Sequence, residues 1–306
     1  MNRISTSSTY LAVLANLNDA QARQIKAGTE VSTQKKGSDL KGFARNAETL
    51  TAMNAIQTRV MGFLEQNRVL EDRFNTQDVA LNRIADAATA ARQSITEALA
   101  SGRGDTLMQE LRAHFGDIVA GLNSKSQGKF LFAGGQLDTQ PVDSIGMSDL
   151  TAATVASRFH NDDFLAVAKL DETSTLQGGF LADDIGTPVL DAFFDIQTFE
   201  DATPVTGEIT EPQRAFLESQ LAVLDNVAED LTNLAARNGS YQRRIASART
   251  DLQGRVDAMD AMIGDVTDVD LPAAISRLEM AEVAIQASAH VFSSLRDSSL
   301  INYLRW

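Results

Sequence analysis

Residues 270–306 read DLPAAISRLEMAEVAIQASAHVFSSLRDSSLINYLRW. In helical steps of three and four, Leu271, Ala274, Leu278, Ala281, Ile285, Ser288, Phe292 and Leu295 fall on one stripe, as a heptad seam requires. Met280, Val283, Ala287 and Val291 lie off that stripe, and no charged residue interrupts Val283 to Leu295. A helix that is apolar on more than one side needs more than one neighbour to cover it. Two readings follow: a terminal core helix of a bundle, or a segment completed only by copies of itself. The run is too short and too rich in Ser and Ala to span a bilayer, so membrane insertion is not expected.

Outward from this tail the chain is close to a palindrome. At the other end Ile4, Leu11, Leu14, Leu17 and Ile25 predict an amphipathic helix, followed by a polar connector, Val31 to Phe43. Met53, Ile56, Val60, Phe63, Leu70, Phe74, Leu81, Ile84, Ala88, Ala91, Ile95 and Ala98 keep a heptad phase broken at Asn67 and Gln77. A helix over 44–100 would be roughly 85 Å long, more than a compact domain holds. Leu217, Leu224, Val227, Leu231, Leu234, Tyr241, Ile245, Ala248, Leu252, Met259, Met262 and Val266 hold a second phase straight through Asn238-Gly239. That predicts one helix of similar length, packed antiparallel on the first. Between them, Thr106 with Gln109 and Thr210 with Gln213 have capping-box spacing. The run from Lys129 to Ala133, ending at Gly134-Gly135, reads as a strand and turn of a hairpin.

Composition separates the middle from both ends. Net charge is −14. Fifteen Asp and Glu between Gln136 and Glu211 face only Arg158 and Lys169, so this window alone carries −13. Pro141, Pro188, Pro204 and Pro212 bracket it, and no proline precedes Pro141. Since proline breaks helix interiors, residues 142–205 are expected to form short strands with room for one helix, as an outward-facing, solvated insertion dispensable for polymerisation. An acidic chain without a basic patch is a poor nucleic-acid binder.

The usual catalytic constellations are missing. With no cysteine there are no disulfides, thiolate metal sites or cysteine nucleophile. His114, His160 and His290 are far apart in sequence and form no HExxH; no serine sits in a GxSxG. Asp162-Asp163 and Asp183-Asp184 lack EF-hand spacing and read as solvated loop carboxylates. No catalytic, cofactor-binding or metal residues are assigned, and an enzyme is not expected. The N-terminus lacks the pattern of a Sec signal, which points to a cytoplasmic protein or to export without cleavage.

Several stretches, in this order and spacing, resemble the flagellin superfamily of axial flagellar proteins. Asn2-Arg3-Ile4-Ser5-Thr6 resembles the start of its junction-forming members. Val31-Ser32-Thr33-Gln34-Lys35-Lys36 is similar to the family's Ser-Thr-Gly-Lys connector, with Gln34 in place of glycine. Gly128-Lys129-Phe130-Leu131-Phe132-Ala133-Gly134 resembles its Gly-Lys-Tyr-Leu-Phe-Ala-Gly hairpin. Ile285-Gln286-Ala287-Ser288 and Ser299-Leu300-Ile301-Asn302-Tyr303-Leu304 resemble its C-terminal motifs. The resemblance covers the two ends and leaves the middle unmatched. It implies export through the flagellar type III pathway and assembly outside the cell. The implied partners are identical subunits, hook-associated protein 1, flagellin and a flagellar export chaperone.

The expected fold is mainly α: an elongated rod of long antiparallel helices, terminal coiled-coil helices and a central β-rich insertion. Its expected parts are an N-terminal assembly helix and connector (1–43), the first half of the rod with its hairpin (44–141), an acidic variable outer domain (142–209), the second half of the rod (210–269) and a C-terminal assembly helix (270–306). Ile4, Leu11, Leu14, Leu278, Ile285, Phe292 and Leu295 are the expected assembly residues. The expected function is a structural subunit of the flagellum at the hook–filament junction. The alternatives are a filament flagellin and, in another class, a secreted glycan-binding or adhesive protein.

Overall fold

The heptad phases do become long helices. In the computed structural model, which describes residues 3–37, 39–43, 45–143 and 145–297, α1 spans Arg3–Thr33, α2 Ala47–Ser101, α3 Leu107–Leu122, α4 Ala182–Ala202, α5 Glu211–Thr267 and α6 Leu271–Asp297. Among the described residues the strands are few and short. β1 (Lys125–Ser126) pairs antiparallel with β2 (Lys129–Phe130), and β3 (Val167–Lys169) with β4 (Thr175–Gln177). The chain divides into two compact units, 1–58 with 256–306, and 59–255.

In the unit of residues 59–255, α2 and α5 run antiparallel. Arg249 pairs with Glu71 and Arg92 with Asp225, and buried Asn238 donates from Nδ2 to the Phe74 carbonyl at 3.1 Å. That bond lets a polar Asn occupy a core position of α5, which passes Gly239 without a break. Asn67, also fully buried, donates to the Leu170 carbonyl at 2.8 Å. The interruption of the α2 heptad is thus a tie to the β3–β4 hairpin, whose Leu176 packs with Phe74 and Ile245.

Of the two expected capping boxes, the one at α5 forms in its Gln213 half. The Gln213 side chain accepts from the Thr210 backbone N–H at 2.9 Å and opens α5. At α3, Thr106 has near-helical backbone angles and makes no side-chain cap bond. The Ser94 hydroxyl, and after it that of Thr106, lowers the Glu110 carboxyl from its ordinary value.

Among the described residues the central stretch is not β-rich: its strands are β3 and β4, three residues each. Residues 182–202 form α4, and Ile185, Val189, Leu190, Ala192, Phe193 and Ile196 on it are each 2 % exposed or less. They belong to the same core as Leu81, Ile84, Leu111, Phe115, Leu224 and Leu231. A Cβ on Gly186 would lie 2.7 Å from the Phe159 ring and 3.0 Å from Leu122, so α4 docks at glycine distance. Pro188 sits inside this helix. Its lost donor is outweighed by the buried stripe, each large side chain of which is worth about 1.5–3 kcal/mol. Asp183 and Asp184, expected in a loop, occupy the first turn of α4, where the helix dipole favours negative charge.

Asp162 is not a freely solvated loop carboxylate either. Its Oδ1 accepts from the Gly135 N–H at 2.7 Å and the Phe164 N–H at 3.1 Å. Gly134, with φ +70°, leaves no room for a Cβ, which would lie 2.1 Å from that oxygen. The β1–β2 hairpin turns at Gln127-Gly128, ahead of the Phe-Leu-Phe run rather than after it, with both residues at positive φ.

Candidate assembly surface

α1 and α6 pack antiparallel over a seam of small residues: Ala20, Ala27, Ala274 and Ala281 are each 5 % exposed or less. Small side chains let the backbones approach closely, and a Cβ on Gly28 would touch Leu278 at 4.0 Å. Beside the seam Glu30, 8 % exposed, accepts from Arg277 at 2.7 Å. A charge taken this far out of water requires such a partner.

The connector holds this pair to the end of α5. Lys36 N–H donates to the Thr267 carbonyl at 2.8 Å, and Val269 N–H to the Gln34 carbonyl at 3.0 Å. The Lys36 ammonium caps the Asp265 and Val266 carbonyls at 3.0 and 3.1 Å, as a cation at a helix C-terminus should. Gln34 has φ +59°, a left-handed conformation that costs a non-glycine residue about 1–2 kcal/mol. Gln34→Gly is therefore expected to raise stability by up to about 1 kcal/mol, after glycine's larger unfolded-state entropy is subtracted. Chemical denaturation of the full chain measures it, and a loss of stability would show that the glutamine side chain matters more than its backbone.

Lys35 donates to Asp268 and, with the Thr267 hydroxyl, holds that carboxyl below its ordinary value. A depressed carboxylate stabilises the fold above its unfolded-state pKa and loses that contribution as pH falls through the folded value. Amide exchange at Lys36 and Val269, corrected for intrinsic rate, should consequently accelerate in acid below the ordinary carboxylate range. Asp268→Asn should remove this pH dependence. An unchanged acid profile in the variant would mean that another group controls the connector.

The expected assembly residues divide between two faces. Leu278, Ile285 and Phe292 are half-buried on the seam side of α6. Leu11 is 61 % and Leu14 37 % exposed, on the outer side of α1. The side chains of Ile4 and Leu295, and the motif from Ser299 to Leu304, lie outside the described residues. On α1 the seam runs through Val13, Leu17, Ala20, Gln24, Ala27 and Val31. The stripe read from Ile4, Leu11, Leu14, Leu17 and Ile25 mixed this face with the outer one. The seam's spacing of three and four was legible, but Ala and Gln gave it little hydrophobic weight.

Large apolar side chains stay exposed on both helices of the pair, among polar and charged ones. Met280 is 61 %, Val283 64 %, Val291 46 % and Ile275 44 % exposed on α6, and Ile25 69 % on α1. Ile275 was missed in the sequence because it falls outside the uncharged run. Large apolar side chains gathered at adjacent helical turns mark an interaction surface. Among the described residues no three His, Asp or Glu side chains converge to hold a metal, and no helix is long and apolar enough to cross a membrane.

Residues 221–304 match the family model described as the bacterial flagellin C-terminal helical region. The chain is 20 % identical to flagellar hook-associated protein 3 of Salmonella typhimurium, over 99 % of this chain and all of that protein. It is 23 % identical to flagellar hook-associated protein 3 of Escherichia coli, over 97 % and 98 % of the two chains. Among solved structures, a flagellar hook-associated protein of Vibrio parahaemolyticus superposes with TM-score 0.60 at 14 % identity, covering 72 % of this chain and 97 % of that one. Bacillus cereus FlgL superposes with TM-score 0.53, also at 14 % identity, covering 71 % and 99 %.

Proposed function

We propose, for a chain that carries a flagellin C-terminal helical region and aligns over nearly its whole length with hook-associated protein 3, that it is a structural subunit of the bacterial flagellum and forms the junction between hook and filament. The observation that carries the reading is the exposure of Met280, Val283, Val291 and Ile25 on the α1–α6 pair. Burying an exposed valine or methionine against a neighbour gains about 1.5–3 kcal/mol. Repeated in every copy, such a face drives self-assembly through the terminal helices, with Leu11, Leu14, Leu278, Ile285 and Phe292 and the undescribed side chains of Ile4 and Leu295 among the contacts. On this reading the partners are identical subunits, hook-associated protein 1 below, flagellin above and an export chaperone beforehand. The protein acts outside the cell, after flagellar export, as a building block rather than an enzyme.

A strain lacking the chain tests the assignment. Loss of a junction subunit is expected to leave hooks without filaments and to release flagellin into the medium. Filaments that persist but are shortened or weakened would instead identify a filament flagellin and overturn the junction role.

A further inference from the structure

The β1–β2 hairpin and α2 enclose a groove of about 340 Å³ lined by Val69, Arg73, Lys129, Phe130, Leu131 and Leu137. Its floor is apolar, and Val69 is 44 % exposed. Arg73 is half-buried there, and among the described residues it makes no ion pair or hydrogen bond. Many arginines of residues 59–255 are matched: Arg59 with Glu172, Arg83 with Asp117, Arg92 with Asp225, Arg249 with Glu71. Burial without compensation pushes the Arg73 guanidinium pKa down from its ordinary value. Two further cations stand at the rim. Lys125 lies over the Phe130 ring at 4.2 Å, and Lys129 pairs with Asp138. The groove is a cationic spot on a chain of net charge −14.

The same chain presents a complementary segment. Asp163-Phe164-Leu165-Ala166-Val167 begins with an exposed carboxylate and continues with Phe164 61 % and Val167 58 % exposed. Val167 starts β3, which among the described residues pairs with β4 alone. Asp163 also bears on Asp184, whose carboxyl is raised above its ordinary value by burial and by the charges of Asp183 and Asp163, offset in part by Arg237. A guanidinium arriving at this patch would relieve like-charge repulsion, as a carboxylate arriving at Arg73 would relieve an unmatched cation.

We propose that the Arg73 groove receives the segment of residues 163–167 from a second copy of this chain, with Asp163 on the guanidinium and Phe164 on the apolar floor. Groove and segment are different surfaces, so the contact is heterologous and continues from copy to copy. The contact rests on the reading of this chain as a self-assembling subunit.

The absence of cysteine makes the test direct. Ser126→Cys, at the groove, and Ala166→Cys, in the segment, are prepared separately in the full chain, mixed at assembling concentration and oxidised. A disulfide-linked heterodimer is expected from the mixture, with little from either variant alone. Adding Arg73→Glu to the first variant should lower its yield about tenfold or more, as juxtaposed like charges do, and adding Asp163→Arg to the second should restore it. Circular dichroism confirms that each variant keeps its helices. Sedimentation run in parallel reports assembly itself. Higher-order species without the heterodimer would overturn this contact and leave the assembly reading intact; a chain monomeric at every concentration would overturn both. Crosslinking of the Ser126→Cys variant only to itself would mean that groove faces groove, and would also overturn the proposal.

Discussion

Phe193→Ala is expected to lower the stability of the chain by about 3–5 kcal/mol, the range for removing a fully buried aromatic ring. Phe193 is 0 % exposed, and its ring lies 5.6 Å from that of Phe115 at 54°, a tilted arrangement favourable for aromatic pairs. α4 therefore fastens the acidic stretch to α3, α2 and α5. The effect is the opposite of that expected for a dispensable insertion, from which a phenylalanine could be removed at little cost. Replacing residues 142–205 with a short Gly/Ser linker should accordingly unfold the unit of residues 59–255, because Val142, Met147, Leu150, Val155, Leu190 and Ile196 leave the core together. Urea denaturation of the point variant and circular dichroism of the replacement check this. A point variant within about 0.5 kcal/mol of the parent, as a surface change would be, would show that α4 does not carry the core.

Val283→Asp together with Val291→Asp should abolish assembly while leaving the isolated chain's stability within about 0.5 kcal/mol of the parent. Both valines are exposed on the outer face of α6. Their carboxylates are solvated in the free chain, but would have to be buried at the contacts between subunits, where an unpaired charge is strongly disfavoured. Ala274→Asp is the contrasting change. Ala274 is 0 % exposed on the α1–α6 seam, and a carboxylate there should separate the helices within a single chain. Calorimetry of the purified variants and electron microscopy of the mutant strains distinguish the two effects. Normal filaments with the double variant would mean that the outer face is not the assembly contact. Gross destabilisation by the same variant would mean that this face is covered within the chain.

The long helices were legible because periodicity is a local property. The phases of α2 and α5 could be followed over many turns, past Asn67, Gln77 and Asn238-Gly239, without knowing what lay opposite. The same holds for Thr210 and Gln213, whose capping partners are three residues apart. The wide apolar surface of α6 was visible too, since Met280, Val283 and Val291 cannot share one stripe with Leu278 and Ile285. Tertiary structure decided what depends on a distant partner. Which face of α1 is buried follows from close approach at Ala20, Ala27, Ala274 and Ala281, and residues chosen for smallness carry little hydrophobic signal. One helix in the middle had been allowed for, but its place and its burial were hidden because Pro188, the aspartate pair and the flanking glycines all favour loops locally. Burial of Ile185, Val189, Phe193 and Ile196 against three other helices outweighs that preference, and no window of sequence contains those helices. That Arg73 is half-buried beside the hairpin, with no ion pair among the described residues, likewise emerges only when α2 and the hairpin close around it.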